Sequence, residues 1–200
     1  MKGRILSLAL ALAVSLSILV GSVQLSRDAK LTEQVVRLHV IAASDSAEDQ
    51  RLKLIVRDAI LKRVNAMSFG STEDAVQRLG ASLDELARTA QQALQQEGIR
   101  DKVEVRLCTE QYPVRHYGTF SLPAGEYVSL QIQLGEAEGK NWWCVVYPGL
   151  CHACDEGLFE EAAEAAGFSD GQIRLMTLDN KPVQFRFKLL ELLQKIKNFF

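Results

Sequence analysis

Two periodicities divide the chain. Between Gln34 and Ala42 the apolar Val36, Leu38 and Val40 alternate with Arg37 and His39, which predicts a strand with one apolar and one polar face. Ala43-Ser44-Asp45-Ser46-Ala47 ends it, and Ser46 followed by Asp49 has the spacing of a helix capping box. Leu52, Ile55, Val56, Ala59, Ile60 and Val64 recur at helical spacing and predict a helix from about Ala47 to Val64. Ser71 with Asp74, then Ser82 with Glu85, repeat the cap signature around Gly80, so the stretch ending at Gly98 reads as one kinked helix or two. From Lys102 the period returns to two, with Val103, Val105 and Leu107 alternating with charged residues. Val114 to Phe120 reads as an irregular strand, and Leu122-Pro123-Ala124-Gly125 as a turn whose glycine takes positive φ. Tyr127 to Leu134 alternates cleanly, whereas Asn141 to Tyr147 is apolar on both faces, as a covered strand is. Helices are expected at about Glu156 to Ala166 and Arg186 to Phe199, separated by a poorly patterned stretch.

The expected fold class is therefore α+β (mixed α/β). It is a single domain with a mostly antiparallel or mixed sheet and a helical insertion between its first and second strands. The domain is expected over residues 33–180, followed by an amphipathic helix at 186–199 with Phe187, Leu190, Leu193 and Ile196 along one side.

The first 22 residues differ from everything after them. Lys2 and Arg4 precede Ile5 to Val20, apolar except for three serines, in the n-region and h-region order of a secretory signal. The 16-residue run falls short of the ~20 residues that span a bilayer core. Val20 and Ser22 are small enough for a signal peptidase, but no Ala-x-Ala is present. Residues 1–22 thus read as a cleaved signal peptide or an uncleaved anchor, and the domain as exported.

Charge and cysteines narrow the function classes. The formal charge is −2, and without Lys2 and Arg4 the 23 basic residues fall to 21 against 25 acidic ones. Such an evenly mixed surface carries no footprint for nucleic acid. Membrane contact is expected only through the N-terminal segment or the C-terminal helix. Outside a membrane the four cysteines can form disulfides. Cys144 and Cys151 flank a Pro148-Gly149 turn that can bring them to bonding distance; two separate thiols or other pairings are the alternatives. Cys151-His152-Ala153-Cys154 has thioredoxin-like spacing, but no βαβ unit surrounds it. A zinc site from Cys108, Cys144, Cys151 and Cys154, with His116 or His152 as substitutes, has only one close ligand pair where two are needed. No Gly-x-Ser-x-Gly, His-Glu-x-x-His or phosphate loop occurs, so no catalytic residue, metal or cofactor is expected. His39, Ser44 and Asp45 read as a solvated strand histidine beside a capping cluster. Trp142 and Trp143 should point to opposite faces of their strand, one into the core and the other into a groove or interface, or both under helices.

Two blocks of these residues carry a resemblance. Arg37-Leu38-His39-Val40-Ile41-Ala42-Ala43-Ser44-Asp45-Ser46, with Glu48-Asp49-Gln50 and Lys53 to Asp58, resembles the opening motif of the stage II sporulation protein R family. Tyr112-Pro113, Tyr117-Gly118, Leu122 to Tyr127, Gly135, Gly139 to Pro148 and Leu150-Cys151 resemble that family's C-terminal motif. Ala43 departs from the asparagine the family commonly has there. The resemblance implies a protein made in the forespore and secreted into the space between the forespore and mother-cell membranes. There it would activate a membrane-embedded sporulation aspartic protease, which cleaves a mother-cell sigma factor precursor. Arg37, His39, Ser44, Asp45, Trp142 and Trp143 are the candidate receptor contacts. Arg37 and His39 are expected at the surface, where truncation costs within ~0.5 kcal/mol. The alternative from another class is an extracytoplasmic thiol-disulfide oxidoreductase using Cys151 and Cys154.

Overall fold

The computed structural model describes residues 2–150 and 159–178. The expectations for Cys151, His152, Cys154 and the helix at 186–199 fall outside the described residues. Helix α1 (Lys2–Glu33) carries the apolar run. Its Leu10, Leu12, Val14, Leu16, Ile18 and Leu19 are 51–73% exposed, whereas Leu31 near its C-terminal end is fully buried. The helix thus enters the core two residues before the expected boundary at 33. Among the described residues no helix is long and apolar enough to cross a membrane.

Strand β1 (Val36–Ile41) is buried along its whole length. Helix α2 (Ala47–Asn65) starts where Ser46 Oγ accepts the Asp49 N–H at 3.0 Å. The 71–98 region resolves into two helices, α3 (Thr72–Ala81) and α4 (Leu83–Gln96). Ser71 caps α3 in the expected way, with its Oγ 3.2 Å from the Asp74 N–H. Ser82, which also closes α3, makes no side-chain cap, and Glu85 instead accepts from Arg63 at 2.6 Å. Strand β2 (Val103–Tyr112) leads into a short hairpin, β3 (Arg115–Tyr117) and β4 (Phe120–Leu122), where one irregular strand was expected. The turn at Gly118-Thr119 folds that stretch back on itself. Strands β5 (Gly125–Leu134) and β6 (Asn141–Tyr147) follow, then helices α5 (Phe159–Ala165) and α6 (Asp170–Leu178).

The sheet order is β2-β5-β1-β6. β1 runs parallel to β5 and antiparallel to β6, and β5 runs antiparallel to β2, so the sheet is mixed and the fold α+β. The parallel β1–β5 pair is possible because the chain between them, including α2 to α4, crosses one face of the sheet. That face is apolar. Leu38, Val40, Leu130 and Ile132 meet Leu52, Val56, Ile60, Leu79, Leu86 and Leu94 from the helices. Each such side chain contributes about 1.5–3 kcal/mol when fully withdrawn from water.

The opposite face is also covered, which the alternation in β1 did not anticipate. The β3–β4 hairpin, α5 and α6 build a second cluster there, with Tyr112, Phe120, Leu122, Tyr127, Val145, Phe159 and Met176 buried. Arg37 is consequently 0% and His39 8% exposed, so neither is the surface residue expected. Gly125 corrects a further expectation. It does not take positive φ; a Cβ there would lie 2.8 Å from Thr32 Cγ2, so it is the close passage of α1 that favours glycine. Helix α6 occupies the stretch that looked unpatterned. Its start is marked by Ser169, whose N–H and Oγ both donate to Gln172 Oε1 at 3.0 and 2.9 Å. That Ser-x-x-Gln spacing is a cap signature the pattern of apolar residues alone overlooks.

Candidate functional site

The loop after β1 is interlocked with the loop before β6. Asp45 Oδ1 accepts the Lys140 N–H at 2.7 Å, and the Gly139 and Glu138 N–H groups donate to Ala42 and Ala43 carbonyls at 3.0 and 3.1 Å. Lys53 Nζ, almost buried on α2, donates to the Lys140 carbonyl at 2.9 Å and to Gln50 Oε1 at 2.6 Å. Burial pushes the Lys53 ammonium below its usual range, against the opposing charge of Asp45. Ser44 Oγ donates to Asp49 Oδ2 at 2.5 Å, and the Ser44 carbonyl accepts from Gln50 Nε2 at 2.8 Å. The approach is close enough that a Cβ on Gly139 would stand 2.2 Å from the Ser44 carbonyl oxygen. Asp45 and the Ala42 and Ala43 carbonyls therefore hold two distant segments together, with Ser44 ordering the loop beside them, although Asp45 keeps an exposed side.

Arg37 and His39 lie on the second face of β1, in register with Ser129 and Gln131 of β5 and with Val145 and Trp143 of β6. His39 Nδ1 is 3.0 Å from Glu110 Oε1, and its Nε2 is 2.9 Å from Asn141 Oδ1. Gln131 Nε2 donates to the same Glu110 oxygen at 2.6 Å, and Tyr112 Oη lies 2.8 Å from Ser129 Oγ. Burial works against the Glu110 charge, but hydrogen bonds from His39, Ser129 and Gln131 outweigh it and hold the carboxyl down at about 2. Burial, relieved in part by the Ser129 hydrogen bond, carries the Tyr112 phenol well above its ordinary value. Arg37 is enclosed by rings: its guanidinium carbon is 4.0 Å from the centroid of Tyr112, 4.9 Å from Tyr127 and 5.5 Å from Tyr117. Arg37 Nη2 also donates to Tyr117 Oη.

The tryptophans divide as their strand position predicts. Trp142 packs on the helical face with Arg57 4.9 Å over its ring. Trp143 is on the other face, stacked with His39 at 5.5 Å and with the Arg115 guanidinium 3.7 Å from its centroid. The candidate residues thus fall into three places. Arg37, His39 and Trp143 meet in one polar strip, Ser44 and Asp45 form the loop latch, and Trp142 stands apart. Sequence reasoning missed Glu110, Tyr112, Tyr117, Ser129, Gln131 and Asn141. For Ser129 and Gln131 the signal was present as polar residues at every second position of β5 facing polar residues of β1.

This strip is built to hold groups still. Both His39 nitrogens are occupied, and Ser129 is fully buried against Tyr112, so neither can act on a substrate. His116 Nδ1 lies 2.7 Å from Ser121 Oγ, but Ser121 is 1% exposed. Cys108 shares the Ser129 and Arg37 face while Cys144 shares the Leu38 face, so the sheet separates them as ligands of one metal. Among the described residues no group of three His, Cys, Asp or Glu could hold a metal ion. A groove of 660 Å³ between α2, β6 and α5 is lined by Val64, Met67, Phe69, Val146, Tyr147 and Ala162 among others, none of them an acid or base suited to neutral pH.

The latch joins the two blocks that carry the resemblance, and comparison with known proteins agrees with it. No solved structure matches the chain. The chain is 36% identical over 123 residues to Stage II sporulation protein R of Bacillus subtilis (strain 168), covering 60% of this chain and 55% of that relative. It therefore spans about half the length of the curated relative it matches. The profile described as Stage II sporulation protein R (spore_II_R) matches residues 32–156, from the buried end of α1 past the last strand of the sheet. With more than half its length matched, and with both motif blocks meeting at one latch, this chain belongs to the stage II sporulation protein R family.

Proposed function

We propose that this protein is a secreted sporulation signal. It leaves the forespore and activates a membrane-embedded aspartic protease of the mother cell, which processes a sigma factor precursor. The observation that carries the reading is the family match across the whole sheet, from residue 32 to 156. His39, Glu110, Asn141 and Asp45 of that unit are spent on mutual contacts, as suits a ligand with no active site of its own. Export is supported by α1, whose apolar side chains stand exposed and need either a membrane or removal. In this reading Cys144, which is 4% exposed, pairs with Cys151 across the Pro148-Gly149 turn, and Cys108 stays a free thiol.

The test is precursor cleavage in sporulating cells that carry the membrane protease. Deleting the gene should leave the precursor intact, and restoring it should recover cleavage. A form lacking residues 2–20 should accumulate inside the forespore and fail to restore it. Cleavage that proceeds normally without the gene would overturn the role. Normal signalling by the retained form, without lysis, would overturn the route. Mass mapping under non-reducing conditions checks the disulfide, and two free thiols at Cys144 and Cys151 would refute it.

A further inference from the structure

Arg51, Arg57, Arg63 and Arg78 each have a carboxylate at 2.6–3.9 Å. Arg37 and Arg115 differ. Arg37 is 0% exposed, yet among the described residues its Nε and Nη1 have no acceptor, and neither has the buried Nε of Arg115. Glu110, on the same face, already holds His39 and Gln131. Stacking on tyrosine faces offsets only part of the cost of desolvating a guanidinium; an anion offsets the rest. The two arginines also belong together. Arg115 and Tyr117 are two residues apart in β3 and so point to one side of the hairpin, and Tyr117 Oη bonds Arg37. Arg115 then rests on Trp143, the neighbour of Arg37 two positions along the sheet.

We propose that Arg37 and Arg115 form a carboxylate-binding site beneath the β3–β4 hairpin. The guanidinium N–H groups donate to the carboxylate, and Tyr112, Tyr117 and Trp143 wall it. Arg115 and Trp143, both half-buried, form the side by which a ligand enters. The carboxylate belongs either to an acidic side chain of a partner peptide or to a small free acid. The site follows from this chain's own chemistry and stands whether or not the signalling role does.

The experiment is thermal unfolding of the purified full chain, held in neutral detergent for its apolar helix. Sodium acetate is compared with sodium chloride at equal ionic strength, and with acetamide as the uncharged counterpart. Acetate at about ten times its Kd should raise Tm by about 4 °C, with no such rise in chloride or acetamide. The rise should vanish in Arg37→Met and need roughly tenfold more acetate in Arg115→Met; the second variant serves if the first does not fold. N-acetylglutamate amide is then titrated beside acetate. A lower half-saturation for it assigns the site to an acidic peptide, and an equal or higher one to a free acid. Equal Tm in acetate, chloride and acetamide would mean that water satisfies these N–H groups, and the proposal fails. It fails too if the acetate effect persists unchanged in both variants.

Discussion

The two faces of the sheet are both closed to water, by different means. On one face Leu38 and Val40 are met by apolar helix residues, contacts that need no particular direction. On the other, Arg37 and His39 are closed in by rings, amides and a carboxylate whose contacts are directional. An apolar face tolerates repacking, because burial depends on area and volume more than on orientation. A polar face does not, because each lost partner strands a desolvated group. The second face should therefore be the more sensitive to small chemical changes, and the first to changes of size.

The largest expected effects test whether both faces are core. Leu38→Ala should cost about 2–5 kcal/mol in urea unfolding. Arg37→Ala should cost about 2–4 kcal/mol, since it empties the space among three tyrosine rings, whereas Arg37→Met, which keeps the volume, should cost less than about 1.5 kcal/mol. An Arg37→Ala penalty within ~0.5 kcal/mol would place that side chain at the surface and break the comparison.

Next comes Glu110. Replacing it with Gln keeps the shape and one acceptor oxygen but removes the charge and puts an NH2 donor where the second oxygen faces His39 and Tyr112, at a cost of about 1–3 kcal/mol. Because the folded state holds this carboxyl at about 2, below the ~4.3 of an unfolded glutamate, its contribution is complete above about pH 5. It is lost as pH falls from there to 2. Urea midpoints measured over that range should fall more steeply in the wild type than in Glu110→Gln. Parallel curves would mean that the carboxyl is not held.

Smaller effects sharpen the same contrast at the ends of the elements. Asp45→Ala should cost about 1 kcal/mol by releasing the Lys140 N–H, and Ser46→Ala about 1 kcal/mol by uncapping α2. Ser82→Ala, with no cap bond to lose, should stay within about 0.5 kcal/mol. A Ser82→Ala cost equal to that of Ser46→Ala would contradict the difference between the two helix starts.

The helical face was legible in the residues because period and polarity agree there. Leu52, Val56 and Ile60 repeat at helical spacing, Leu38 and Val40 at strand spacing, and each is buried. The second face was not, because alternation alone cannot tell a solvated polar face from one covered by another layer. The covering elements also hide. The β3–β4 hairpin has three-residue strands, and α6 starts at a serine cap before a weak apolar pattern. The motif blocks were legible as text, but not their meeting. That depends on Gly139 passing the Ser44 carbonyl, a contact between residues nearly a hundred positions apart.

That separation has a consequence for how the chain is made and moved. β1 lies between β5 and β6, so every hydrogen-bonded neighbour of the first strand arrives roughly ninety to a hundred and ten residues after it. Helices α2 to α4 can form from local contacts, but the centre of the sheet must wait for Tyr147. In a chain threaded through a membrane pore with its N-terminus leading, the first strand reaches the far side long before it has anything to pair with. The sheet therefore cannot close around its first strand on the near side before residue 147 has been synthesised.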